Sequence, residues 1–287
     1  DLYNANVKAG VDYMEFGYKA SKDLFDESKF GKWKFSKDED IRAIVGDNKT
    51  DLKLCVMADV GRTDFKRDIV DKKDSPIDMI RIATYIHQMP GAIEMIDYCK
   101  NKGYEVTCNI MAISKAQESD VKLALEMISK TGLDAIYIVD SYGSLVPEQI
   151  GRITEFYQEV TDKYGISLGI HAHNNQQLAF ANTIEALKDG VSYLDATMNG
   201  MGRGAGNCAM ELILGFLKNP KYSFIPILKF LETHMVKLKE EGVVWGFDIP
   251  YMLTGMMNQH PKAAIEAMAS HNTNYREFFT GLLEQDI

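Results

Sequence analysis

Apolar residues in this chain fall into short, nearly unbroken runs, separated by longer stretches in which they recur every three to four positions. The runs predict strands at Val11–Gly17, Leu52–Ala58, Met79–Thr84, Gly103–Met111, Ala135–Asp140, Leu168–His173 and Tyr193–Met198. The periodic stretches predict helices at residues 2–9, Asp38–Val45, Pro90–Lys102, Ser119–Thr131, Pro147–Lys163, Gln176–Asp189 and Cys208–Lys218. Tyr18 to about Lys37 is charged and aromatic with little periodicity, which suits a loop over the mouth of a barrel. Strand and helix alternate, and the strands are apolar on both faces, so a parallel sheet covered on each side is expected.

Seven strands are visible behind a leading helix that has no strand before it. A (β/α)8 TIM barrel needs eight, so the expectation is a barrel whose first strand lies upstream of Asp1. An open doubly wound sheet is the alternative, because Gly200-x-Gly202-x-x-Ala205 loosely fits a dinucleotide fingerprint. That motif, however, closes the strand series instead of opening it. From about Tyr222 the alternation gives way to helices only, at Phe224–Glu240, Pro250–Met257, Pro261–Ala269 and Tyr275–Gln285. The expected organisation is a barrel over 1–221 and a C-terminal helical appendage over 222–287.

Composition narrows the function classes. The 287 residues are 46% hydrophobic and carry a net charge of −9 without any Lys/Arg-rich run, which argues against nucleic-acid and anionic-membrane surfaces. No apolar segment is long enough to span a bilayer. Cys55, Cys99, Cys108 and Cys208 are scattered without a CxxC pair, as expected of reduced thiols in a cytoplasmic protein.

The candidate chemistry centres on Gly169–Asn175, G-I-H-A-H-N-N. Residues two apart on a strand leave the same face, so His171 and His173 suit one shared divalent metal. A polar strand face with two hydrogen-bonded histidines is the plainer reading. The run Asn199–Asn207, N-G-M-G-R-G-A-G-N, follows one helix and strand later. Its glycines, Gly202 and Gly204 among them, let backbone N–H groups approach a ligand, although a tight turn explains them too. Asn207 offers an amide oxygen to the metal or a cap to the next helix. Arg203 suits an anionic substrate or plain solvation. Glu15 and Ser141 end strands, where a barrel keeps its functional groups. Glu15 reads equally as an ion-paired carboxylate, Ser141 as a turn residue, and Arg81 as part of a structural polar layer.

His171-Ala172-His173-Asn174-Asn175, Ala181-Asn182 and Gly200–Asn207 together resemble the DRE-TIM metallolyase superfamily. That group includes hydroxymethylglutaryl-CoA lyase, isopropylmalate and homocitrate synthases, and 4-hydroxy-2-oxovalerate aldolase. The resemblance implies a magnesium or manganese ion held by His171 and His173, approached by Asn207. It makes Glu15 the acidic residue of the second strand and Ser141 a contact to the substrate carboxylate. The implied chemistry makes or breaks a carbon–carbon bond beside a carbonyl, with the metal stabilising the enolate of a 2-oxo acid. Two departures stand out. The Asp-Arg-Glu segment that ends the family's first strand does not occur here, in keeping with the strand count. The lyase's loop cysteine is also missing, since Cys208 comes after Asn207, which points toward the aldolase branch.

In the aldolase branch a catalytic tyrosine precedes a histidine resembling His260. The aligned position here is Thr254, leaving the base open and nearby Tyr251 as the candidate. The branch's helical part contacts an aldehyde dehydrogenase, so the resemblance admits that partner here, and a homodimer. The expected activity is a metal-dependent aldolase acting on a pyruvate-like 2-oxo acid. The alternatives are an acyl-CoA-dependent Claisen synthase and a catalytically lapsed barrel used as a binding module.

Overall fold

The computed structural model describes residues 1–285. Its sheet has seven parallel strands in sequence order, β1 Tyr13–Tyr18, β2 Lys53–Asp59, β3 Met79–Thr84, β4 Glu105–Ile110, β5 Ala135–Asp140, β6 Ser167–Ala172 and β7 Tyr193–Leu194. The helices between and after them are α1 Leu2–Ala9, α2 Asp38–Val45, α3 Phe65–Asp68, α4 Met89–Asn101, α5 Glu118–Ile128, α6 Pro147–Thr161, α7 Ala179–Lys188 and α8 Met210–Leu217. Then come α9 Ile225–Phe230, α10 Val236–Glu240, α11 Ile249–Met256, α12 Lys262–Ala269 and α13 Tyr275–Gln285, with a π-helical turn at Leu231–Met235 joining α9 to α10. Among the described residues no helix is long and apolar enough to cross a membrane.

Strands β3 and β5 are buried at every position, as expected of strands with helices outside and a packed barrel interior within. The sheet curls until its two edges meet at the lower end. Tyr13 on β1 and Tyr193 on β7 have ring centroids 5.7 Å apart, and both hydroxyls donate to Glu105 Oε1 on β4. The result is a (β/α)-barrel-like curl, not a flat doubly wound sheet. No backbone pairing joins β1 to β7 among the described residues. A cavity of about 960 Å³ lies along this seam, lined by α1, both edge strands, α8 and the α9–α10 helix.

The strand expected over Tyr193–Met198 pairs only at Tyr193 and Leu194. Beyond them the backbone leaves the ladder and makes an isolated bridge from Thr197 to Ala209. The helices after Tyr222 form two groups. Ile227 and Met235 pack with Ala9 and Leu214 over the seam, whereas Tyr251 and Ala264 form a separate cluster with Ala205 of the glycine-rich loop.

Candidate functional site

In-register pairing carries one face of each strand into the barrel interior. Arg81 lies level with Met57 on β2 and Thr107 on β4, and its side chain is only 7% exposed. Isolating a guanidinium there costs several kcal/mol, so it must be paired. Glu15 accepts from Arg81 at 2.9 Å, Asp195 forms a second ion pair with it, and the guanidinium carbon lies 4.6 Å from the Tyr137 ring centroid. Gly169 makes this stack feasible, because a Cβ there would sit 2.6 Å from the Tyr137 ring. Burial disfavours the Arg81 charge, but Asp195, Tyr137 and Glu15 outweigh it, so its pKa lies above the ordinary value.

The two carboxylates sharing this arginine diverge. Burial pushes Glu15 upward despite Arg81, whereas for Asp195 the attraction of Arg81 and His171 overcomes burial and holds it below the usual carboxylate range. Glu15 points into the barrel but keeps an accessible surface, which lines the seam cavity.

His171 Nδ1 donates to Asp195 Oδ2 at 2.9 Å, and His173 Nδ1 donates to the backbone carbonyl of Asp140 at 2.9 Å. Because a carboxylate and a carbonyl accept, each imidazole carries a proton on Nδ1 and turns Nε2 away from that partner. The ring centroids are 4.9 Å apart. Burial and the neighbouring His171 press the His173 pKa down to about 3, so this imidazole is neutral. Asp140 fixes that geometry from behind. Its carboxylate accepts the backbone N–H of Ser144 at 3.0 Å and of Leu145 at 3.3 Å, and burial raises its pKa to about 7.

The glycine-rich loop closes on the histidines. Asn174 N–H donates to the Gly206 carbonyl, and His173 forms an isolated bridge with Asn207. Asn207 Nδ2 donates to the Met201 carbonyl, while its Oδ1 is buried without a partner. A buried amide oxygen without a partner, on a residue bridged to His173, is what a cation would satisfy. The turn depends on glycine, since a Cβ on Gly206, at φ +80°, would lie 2.1 Å from the Gly200 carbonyl oxygen. A Cβ on Gly202 would lie 2.4 Å from Asn207 Nδ2. Among the described residues no group of three His, Cys, Asp or Glu side chains converges on one metal position.

The remaining expected residues occupy the mouth. Arg203 is exposed, pairs with no carboxylate among the described residues, and its charge acts on His173, Tyr18, Tyr251 and His260. Ser141 Oγ accepts from the backbone N–H of Ala112 at 2.8 Å, leaving its own proton to donate. Tyr251 packs against Gly204, where a Cβ would sit 2.7 Å from its ring. The Asn258 side chain seats α11 on the barrel, accepting from Ser114 Oγ at 2.7 Å and Ser144 Oγ at 2.9 Å. Asp195 escaped the sequence reading. Its one signal was an inward register two residues after Tyr193, at the end of a strand expected to be longer.

An HMGL-like family model matches residues 2–236. Over 149 residues the chain is 31% identical to an oxaloacetate decarboxylase of Mycobacterium tuberculosis, covering 52% of this chain and 44% of that protein. It is 27% identical over 220 residues to a 4-hydroxy-2-oxovalerate aldolase of Spirochaeta aurantia, covering 74% and 63%. The chain spans about half the length of the curated relatives it matches. The N-terminal domain of a putative aldolase from Bacteroides vulgatus superposes with a TM-score of 0.77 at 27% identity, covering 96% of this chain and 90% of that one. Hydroxymethylglutaryl-CoA lyase from Pseudomonas aeruginosa shares the fold at a TM-score of 0.66 and 14% identity, covering 85% of each. The chain belongs to the HMGL-like family of DRE-TIM metallolyases.

Proposed function

We propose that this protein is a divalent-metal-dependent carbon–carbon lyase of the aldolase type, acting on a short 2-oxo acid. One observation carries the reading: His171 and His173 commit Nδ1 to Asp195 and to the Asp140 carbonyl, and His173 bridges to Asn207, whose buried Oδ1 has no partner. His171, His173 and Asn207 would hold magnesium or manganese, which would supply Lewis-acid polarisation of the substrate carbonyl. Arg203 meets the substrate carboxylate from the rim, and Ser141 donates to it. Backbone N–H groups at Gly202 and Gly204 line the approach. Glu15, held by Arg81, keeps a carboxyl of raised pKa facing the interior. Tyr251 buttresses the glycine-rich loop.

The reading includes an eighth strand across the seam between β1 and β7, bringing a carboxylate to the metal. It is supported by the cavity of about 960 Å³ that opens onto Glu15, His171 and Asn207 between two unpaired strand edges. A hard divalent cation favours such an oxygen ligand. The chemistry then belongs to residues 1–221 and the helical appendage is 222–287, whose helix Ile249–Met256 packs on the glycine-rich loop through Tyr251. Exposed Ile225 and Val244 on that segment suit a protein partner, a second copy or an aldehyde dehydrogenase.

The experiment is exchange of pyruvate methyl protons in deuterium oxide, followed by NMR with manganese-loaded full-length protein. Metal-dependent exchange supports the reading, and no exchange with any of several 2-oxo acids overturns it. The second reading, a binding barrel without catalysis, is favoured because no third His, Cys, Asp or Glu side chain joins the two histidines in a metal-holding group among the described residues. It predicts 2-oxo acid binding without exchange.

A further inference from the structure

We propose that the Tyr18 hydroxyl is the proton donor to the enolate carbon left when the carbon–carbon bond breaks, an inference that rests on the lyase reading above. The argument begins with a break in the β1–β2 ladder. Tyr13, Met14 and Glu15 pair with Lys53, Leu54 and Cys55 in order, but Tyr18 then pairs with Met57 where a regular ladder would bring Ala58. One extra residue has been inserted at Phe16–Gly17. In an unbroken strand Tyr18 would turn away from the face that carries Glu15. The bulge returns it to that face, level with Met57, which itself is level with interior Arg81.

The local sequence enforces this bulge. Gly17 has φ +134°, and a Cβ on it would lie 2.2 Å from the carbonyl oxygen of Trp33. The Lys19–Lys37 excursion supports the tyrosine from outside: Lys34 Nζ lies 4.7 Å from the Tyr18 ring centroid and 4.3 Å from that of Phe25. Such contacts favour one ring position.

The hydroxyl so positioned has no hydrogen-bond partner among the described residues, a state it shares with Tyr251, whereas those of Tyr13 and Tyr193 at the lower end of the barrel are bonded to Glu105. The register sets it level with Met57 and Arg81, on the face whose Arg81 shares Asp195 with His171. Burial, then Glu15 and Asp59, raise its pKa and keep the phenol protonated. At 41% exposure it remains open to water.

The step balances without a further reagent. Retro-aldol cleavage of a 4-hydroxy-2-oxo acid, which releases an aldehyde, and loss of CO2 from the 4-carboxylate of a 2-oxo diacid both leave the C–C bonding pair on carbon 3 as an enolate. The Tyr18 O–H bond breaks and a C–H bond forms from the enolate C=C pair. The oxygen lone pair restores the carbonyl, and the phenolate recovers its proton from bulk water. This is the step shared by the aldolase and decarboxylase reactions of the relatives' names.

The test compares wild type, Tyr18→Phe and Tyr251→Phe as manganese-loaded full-length proteins, following deuterium entry into the pyruvate methyl group. Melting temperature, manganese content and pyruvate Kd are measured on each. Tyr18→Phe is expected to slow exchange at least about 100-fold, within the range of general acid–base catalysis. Manganese content, pyruvate Kd and folding should stay at wild-type values. Gly17→Ala, which disturbs the bulge while keeping the hydroxyl, is expected to slow exchange as well. Wild-type exchange in Tyr18→Phe, or loss confined to Tyr251→Phe, overturns the proposal and leaves the lyase reading standing. No exchange in the wild type overturns both.

Discussion

A single oxygen, Asp195 Oδ2, accepts the Nδ1 proton of His171 at 2.9 Å and also forms the ion pair with Arg81. One carboxylate therefore fixes the tautomer of an expected metal ligand and neutralises the buried cation beneath it. Asp195→Asn keeps the shape but removes the charge. Manganese affinity is expected to fall about 10- to 100-fold, as for other residues that orient a metal-binding histidine. Stability should drop by about 3 kcal/mol, toward the lower end for a broken buried pair because Glu15 still engages Arg81. Calorimetric titration with manganese and urea unfolding read the two effects separately.

Asn207→Ala should move stability and metal binding in opposite directions. The Asn207 Oδ1 is buried without a partner, so removing it relieves a desolvation cost of about 1–3 kcal/mol against a modest loss of the Nδ2 bond to Met201. The metal-free variant should be as stable as wild type or more so, with manganese affinity at least about 10-fold weaker. Equal affinity in the two proteins would remove Asn207 from the metal site.

The pair behind His173 predicts an unusual pH response in the metal-free protein. Ordinary values are about 3.9 for Asp and 6.5 for His. The folded chain holds Asp140 at about 7 and His173 at about 3. Between about pH 4 and 6.5 the folded state thus keeps one proton on Asp140 while the unfolded state keeps one on His173. The counts match, so this pair contributes no slope. In Asp140→Asn the unfolded state binds the extra proton, and stability should rise with pH across that window by on the order of 3 kcal/mol. His173→Asn should do the reverse, losing stability as pH rises. Urea unfolding at pH 4.5 and 6.5 measures both.

Gly206→Ala tests whether the loop geometry serves the site. The new Cβ would meet the Gly200 carbonyl oxygen at 2.1 Å from a backbone at φ +80°. A cost of about 1–3 kcal/mol is expected from the strained backbone, with the loop displaced and the sheet retained. Manganese binding should weaken while far-ultraviolet circular dichroism stays unchanged.

Much of the fold was legible in the sequence, for identifiable reasons. Strands Met79–Thr84 and Ala135–Asp140 have the expected bounds because their burial on both faces leaves a continuous apolar run. Tyr193–Met198 reads as a strand just as well, but beyond Leu194 only Thr197 pairs, with Ala209 just after the glycine-rich loop, a tertiary contact that no local pattern encodes. Spacing and resemblance single out the two histidines and Asn207 as candidates, and the structure puts His173 and Asn207 in one bridge. Asp195 was missed because its role depends on Arg81, 114 residues away. Tyr18 reads as the start of a loop, and only the bulge at Gly17 turns it back to the inner face. The late helices were legible as helices, but the packing of Ile227 and Met235 on α1 and α8 was not.

Metal stoichiometry tests the central claim most directly. Full-length protein is loaded with manganese, dialysed and analysed for elements beside a His171→Ala/His173→Ala double variant of equal thermal stability. The account predicts close to one manganese per chain in the wild type and essentially none in the variant. No manganese in the wild type, or equal amounts in both, would contradict it.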